Sequence, residues 1–161
     1  MISKQALIKS LNLAPHPEGG FYRRTYLTTA TAQIERPDTT CIYFLIEHEN
    51  PSHLHKVDCN EYWLYHYGTS DILVRGFSTD PDEKSSFTFQ IGPNANEWQL
   101  LIPENTWFGA ATIKETPEDF ALLSCVCSPG FEFKGFELGF KEQLFQSYPQ
   151  HRHLINEMCK E

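Results

Sequence analysis

Long hydrophobic runs are missing from this 161-residue chain. No stretch reaches the roughly 18 consecutive apolar residues of a membrane-spanning helix, and the opening MISKQALIKSLNLAPHPEGG lacks the apolar core of a signal peptide. We therefore expect a cytoplasmic protein with no membrane partner. Basic residues are scarce: 13 Lys and Arg stand against 21 Asp and Glu, a net charge of −8. Binding to a phosphate backbone rests on clustered cations, so nucleic acid is not an expected partner. Cysteine is sparse and odd in number. Cys41, Cys59, Cys125, Cys127 and Cys159 are scattered, and without a secretory signal they are expected to be reduced. The pair Cys125 and Cys127 has one intervening residue where zinc motifs usually have two to four, and no second pair follows. It lies inside the apolar run FALLSCVCS, so both thiols read as core residues.

What is present is enough for a core: 40% hydrophobic and 14% aromatic residues, in a length that suits one domain over 1–161. There is no internal repeat and no low-complexity tract. Ser3 can cap a short amphipathic helix over Lys4 to Leu11, which Pro15 and Pro17 stop. Strand signals follow. CIYFLIE, EYWLYHY, DILVRGF, SSFTFQIG, EWQLLIP, FGAATI and FALLSCVCS recur at short spacing between Pro, Gly and Asn breaks, with Gly68, Thr69 and Ser70 read as a hairpin turn. So many short strands predict a sandwich or barrel. KEQLFQSYPQHRHLINEMCKE returns to helical character, with Pro149 at a first helical position and Leu154, Ile155 and Met158 on one edge.

The chemistry concentrates in PSHLHKVDCNEYWLYHYG. On a regular strand His53 and His55 share a face, and a turn brings Glu61 alongside; imidazoles with a carboxylate suit a divalent transition metal. Alternation from Glu61 places Trp63 and Tyr65 on its face and His66 on the opposite one. In HPEGGFYRRTY, Pro17 fixes the backbone and Gly19 and Gly20 permit positive φ. This segment turns sharply into a strand and carries Glu18, Tyr22 and Arg23 toward a pocket or a subunit interface.

HLHKVDCNEYWLYHYG resembles the first motif of the cupin superfamily, and PENTWFGA resembles the second, which normally supplies a closing histidine. Here Phe108 stands at that position, no histidine occurs between His66 and His151, and five residues separate His55 from Glu61. A metal set of His53, His55 and Glu61 is therefore incomplete, and no cofactor is expected. A closer resemblance spans nearly the whole chain. LNLAPHPEGGFYRRTY, IYFLIE, HKVDCNEYWLYHYG, WQLLIPENTWFGA and CSPGFEFKGFEL resemble, in order, the cupin family of unknown function 985, whose members are often labelled predicted sugar epimerases. Ser52, His55, Glu61, Trp63 and His66 occupy its recurring positions, while His53 falls at a variable one.

This resemblance implies an all-β double-stranded β-helix, the cupin jelly roll, with short N-terminal and C-terminal helices, usually as a homodimer. Deoxysugar-nucleotide epimerases of similar fold work without a metal, through a histidine base and a tyrosine acid. By that likeness His55, Glu61 and Tyr65 are the catalytic candidates. Tyr22, Tyr43, Trp63, Gln99, Trp107, Phe108 and Glu137 are candidates for binding a small-molecule ligand. Three readings stay open at this point: a metal-independent sugar or nucleotide-sugar isomerase, a non-catalytic ligand-binding cupin, and a metal-dependent enzyme.

Overall fold

The β-branched and aromatic segments form eleven strands in the computed structural model, which describes residues 2–28, 35–80 and 82–160. Helix α1 (Lys4–Ser10) starts where the Ser3 hydroxyl accepts the Ala6 N–H. Then come β1 (Ala14–Pro15), β2 (Phe21–Leu27), β3 (Thr40–Glu47), β4 (Ser52–Val57), β5 (Asn60–Gly68) and β6 (Ile72–Ser78). They are followed by β7 (Ser86–Ile91), β8 (Gln99–Ile102), β9 (Thr106–Thr112), β10 (Phe120–Ser128) and β11 (Phe136–Leu138). Helices α2 (Lys141–Ser147) and α3 (Arg152–Met158) close the chain, with Pro149 opening a 3-10 turn between them.

Two antiparallel sheets face each other. One runs β1-β2-β3-β10-β5-β8, the other β11-β4-β9-β6-β7. This is the all-β jelly roll expected from the sequence, with short helices near both termini. The expected hairpin at Gly68-Thr69-Ser70 is not one. Strands β5 and β6 lie in different sheets, so the turn is a corner between them. The corner is held by hydrogen bonds: the Tyr65 hydroxyl donates to the Ser70 carbonyl, Thr69 N–H to Phe120 O, and Ser70 Oγ accepts Lys114 N–H.

Alternation along β10 explains the packing. Ala121, Leu123, Cys125 and Cys127 point between the sheets, with Phe44 and Ile46 of β3, Trp63 of β5 and Phe108 of β9. Phe120 and Leu122 point outward and are covered by Leu7 of α1 and by Leu13 just after it. The outer face of the second sheet is covered in the same way. Leu54, Phe77 and Trp107 pack against Leu144, Leu154, Ile155 and Met158 of α2 and α3. Both faces of the sandwich are thus dry near its centre, which is why FALLSCVCS reads as a continuous apolar run and not as a strict alternation.

Candidate functional site

The site lies where the turn after β1 crosses from the first sheet to the second. Gly19 and Gly20 have φ of 110° and 69°, a conformation that glycine adopts without steric cost. A Cβ on Gly19 would stand 1.9 Å from the Pro51 carbonyl oxygen. The turn closes on itself through His16 N–H to Gly20 O and Gly19 N–H to His16 O. It is tied to β4 by the His53 N–H donating to Glu18 O at 2.8 Å. This placement buries Glu18 between the sheets.

Strand β4 meets it in a way that regular alternation does not produce. Its pairing with β9 shifts register between Ser52 and His55. The irregularity adds a residue, so Ser52 and His55, three apart, both reach Glu18. Ser52 Oγ donates to Glu18 Oε1 at 2.7 Å, and His55 Nε2 lies 3.2 Å from Glu18 Oε2. The His53 ring does not converge with His55, contrary to the strand-period reading. Its Nδ1 bonds the Glu18 carbonyl at 2.8 Å, and it is Ser52 that shares the buried carboxyl with His55.

Proton positions follow from the acceptors. His55 Nδ1 is 2.8 Å from the His53 carbonyl, which can only accept, so Nδ1 carries the hydrogen and Nε2 presents a lone pair when the ring is neutral. His16 Nδ1 accepts the Glu18 N–H at 3.4 Å and lies 3.4 Å from Glu18 Oε2. Glu18 Oε2 therefore faces two imidazole nitrogens. A proton on that oxygen has an acceptor on each side.

Burial favours this neutral arrangement. Desolvation raises the Glu18 carboxyl above its ordinary pKa, against the opposing pull of His16 and the Ser52 hydrogen bond. Desolvation lowers both imidazoles, more than Glu18 raises His16 and Glu61 raises His55. The His55 ring lies between Phe108 and Phe136, with centroids 4.3 and 5.6 Å away. Glu61, buried on β5, is raised by desolvation and by the neighbouring Glu18. The Trp63 indole and the Cys125 thiol face its carboxyl. Two acids and two bases thus share one water-poor cavity, lined also by Tyr22, Arg24, Ile42, Phe44 and Phe131. Its volume is about 30 Å³. About two or three waters fill such a space, at roughly 10–15 Å³ for each.

The raised Glu61 pKa makes a testable statement about folding. A carboxyl raised in the folded state contributes stability that is full below its unfolded pKa near 4.5 and is lost as pH rises through the folded value. Glu61→Gln cannot ionise. Its urea midpoint relative to the parent chain is expected to climb as pH rises from 4.5 and then level off. Each unit by which the folded pKa exceeds the unfolded one is worth about 1.4 kcal/mol. A difference independent of pH contradicts the buried, neutral carboxyl. The imidazoles give the opposite slope: with His55 lowered, its contribution is full above pH 6.5 and is lost as pH falls through the folded value.

The other candidates are placed as follows. Tyr22 lines the cavity and meets His16 edge-on at 4.6 Å. Phe108 and Trp63 form the apolar wall behind His55 and Glu61. Tyr65 faces the interior as alternation predicts, but at the far corner, where its hydroxyl is committed to Ser70 and its pKa is pushed up to about 12 by burial and by Asp71. Four further candidates lie away from the cavity. Trp107 points to the outer face and the C-terminal helices. Tyr43 packs on the outer face of the first sheet, beside His66, whose Nε2 meets Ser124 Oγ at 2.7 Å. Gln99 is exposed on the edge strand β8, and Glu137 is half-exposed in an ion pair with Lys56 at 2.9 Å. His16 joins the site without having been singled out by the sequence. Its signal is its place beside Glu18 in a Gly-Gly turn.

Cupins commonly hold a divalent metal, so the donors here bear on one. Phe108 fills the position of the closing ligand against His55, and His53 is turned to a backbone carbonyl. Among the described residues no three His, Cys, Asp or Glu side chains are grouped so as to hold a metal ion. The residues present do not fit the cupin metal set.

A sequence model of the cupin superfamily (DUF985) matches residues 5–139. The chain belongs to this family. Among solved structures, it is similar to the Shewanella oneidensis protein SO0799, with 34% identity over 99% of both chains and a TM-score of 0.87. It is also similar to a hypothetical protein from Leishmania major, with 30% identity over 99% of both chains and a TM-score of 0.85. A Bacillus subtilis oxalate decarboxylase mutant shares the fold alone, at 15% identity and a TM-score of 0.55 over 91% of this cupin and 37% of that chain. No protein of curated function matches this DUF985 cupin by sequence. Among its described residues, no helix is long and apolar enough to cross a membrane.

Proposed function

We propose that this cupin is a metal-independent acid–base catalyst that moves a proton at the carbon next to a carbonyl, an isomerase or epimerase of a small oxygenated molecule of the sugar class. The observation that carries the reading is the 2.8 Å contact of His55 Nδ1 with the His53 carbonyl, which sets the tautomer. With Nδ1–H held by the His53 carbonyl, Nε2 is a fixed acceptor inside the cavity, next to a carboxyl whose own proton burial retains. His55 removes the proton. Glu61, kept protonated by desolvation, returns one from another side, the role that the likeness to tyrosine-using epimerases gave to Tyr65. Glu18, shared between His55 and His16, holds the base in position. Fixed, oppositely tuned acid and base groups are what such a transfer requires.

The experiment is solvent exchange. Keto sugars and nucleotide sugars are incubated with the protein in D₂O, and deuterium next to the carbonyl is followed by NMR. Exchange that is lost in His55→Gln supports the proposal; its absence across the panel, with binding seen by thermal shift, favours a ligand-binding cupin instead. The small cavity volume is the observation on that second side, because a substrate enters only if the mouth at Tyr22, Arg24 and Phe131 opens. A homodimer is part of the same proposal, supported by the exposed Phe89 and Leu101 along one apolar groove. Sedimentation is expected to show two chains in the parent and a weakened dimer in Leu101→Lys.

A further inference from the structure

Five arginines occur in the chain, and four have their charge engaged. Arg36 forms a two-pronged pair with Asp58 and donates to Gly130 O; Arg75 meets Glu157; Arg23 and Arg152 lie over the rings of Tyr43 and Phe145. Arg24 has no carboxylate, carbonyl or ring partner among the described residues. Among the described residues it is also the only Lys or Arg lining the cavity.

Strand pairing fixes its direction. Tyr22 stands opposite Phe44 and Arg24 opposite Ile42 across β2 and β3, and all four line the cavity. Arg23, between them, stands opposite Tyr43 and belongs to the other face. Arg24 is exposed where Tyr22 is half-buried, so the arginine marks the mouth and the tyrosine the throat. The interior holds only a few atoms, so it takes the reacting carbon and its oxygen while the rest of a substrate stays outside, against Arg24. A chain of net charge −8 repels anions in general, and an unengaged guanidinium at the mouth reverses that locally. Guanidinium geometry matches the paired oxygens of carboxylate and phosphate.

We propose that Arg24 binds the carboxylate or phosphate group of a small carbonyl-bearing substrate at the mouth of the cavity. This rests on the acid–base reading of the site, and the two are separable. Calorimetry at low salt compares dihydroxyacetone phosphate with uncharged dihydroxyacetone, and inorganic phosphate with acetate. The phosphorylated ketone is expected to bind at least about tenfold more tightly than the uncharged one, the scale of one charge-assisted hydrogen-bond pair. Arg24→Met removes that preference, Arg24→Lys keeps part of it, and Arg23→Met leaves it intact. The order of phosphate and acetate identifies the group. Equal binding of charged and uncharged ketones, or an unchanged preference in Arg24→Met, overturns the proposal. Anion binding that needs Arg24 without any solvent exchange keeps the anion site and removes the acid–base reading. Exchange into dihydroxyacetone phosphate that is undiminished in Arg24→Met, with no preference for the phosphorylated ketone, keeps the acid–base reading and removes the anion site.

Discussion

His55→Gln will lower solvent exchange into the substrate by about 10²- to 10⁴-fold, the range that a positioned general base contributes. The ring is buried against Phe108 and Phe136, and its Nδ1–H donates to His53 O. Glutamine fills a similar volume and can still donate to that carbonyl, so the cost to folding is expected to be about 1 kcal/mol. Rate and stability are therefore decoupled, which separates a catalytic His55 from one that only packs. The pH profile adds a second check. Desolvation lowers the imidazole below 6.5, so the base is free at neutral pH and its protonation lowers the rate on the acid side of that value. The carboxyl that must hold a proton is raised above 4.5, so the rate also falls as pH climbs through its folded value. A rate in His55→Gln within threefold of the parent would falsify the assignment.

Much of this architecture was legible in the sequence because strand period, turn residues and apolar runs carry it. Seven strand segments, the Ser3 cap and the Pro149 start are all where composition puts them. Corners were not legible. Gly68-Thr69-Ser70 has the residues of a hairpin turn, and only the second sheet receiving β6 makes it a crossing between layers. The site was half legible. His55 and Glu61 come together, yet the partner that organises them, Glu18, arrives from a turn 37 residues before His55 in sequence and is held by an irregularity in β4. Periodicity cannot announce a strand irregularity, because the added residue breaks the period on which the reading depends. The spacing of Ser52 and His55, three apart, was the visible trace of it.

Trp107→Ala will destabilise the fold by about 3–5 kcal/mol while leaving exchange per folded molecule unchanged. The sequence reading put Trp107 and Phe108 in one ligand pocket, but neighbours on a strand face opposite ways. Phe108 takes the inner face against His55 and Trp63; Trp107 takes the outer one, fully buried among Leu54, Phe77, Leu144 and Ile155, with the Lys56 ammonium 5.0 Å from its ring. Both faces of β9 are dry, one from the opposite sheet and one from the C-terminal helices, so hydrophobicity alone could not say which residue turns inward. The expected loss is a large share of the 5–15 kcal/mol that holds a typical domain together. A milder Trp107→Phe, which keeps an aromatic ring in place, is expected to lose less and to remain folded for assay. Urea midpoints and exchange rates measured on the same samples decide the matter. If Trp107 lined the ligand site, the rate would fall ahead of the midpoint; if it anchors the helices, the midpoint falls and the rate of the folded fraction holds.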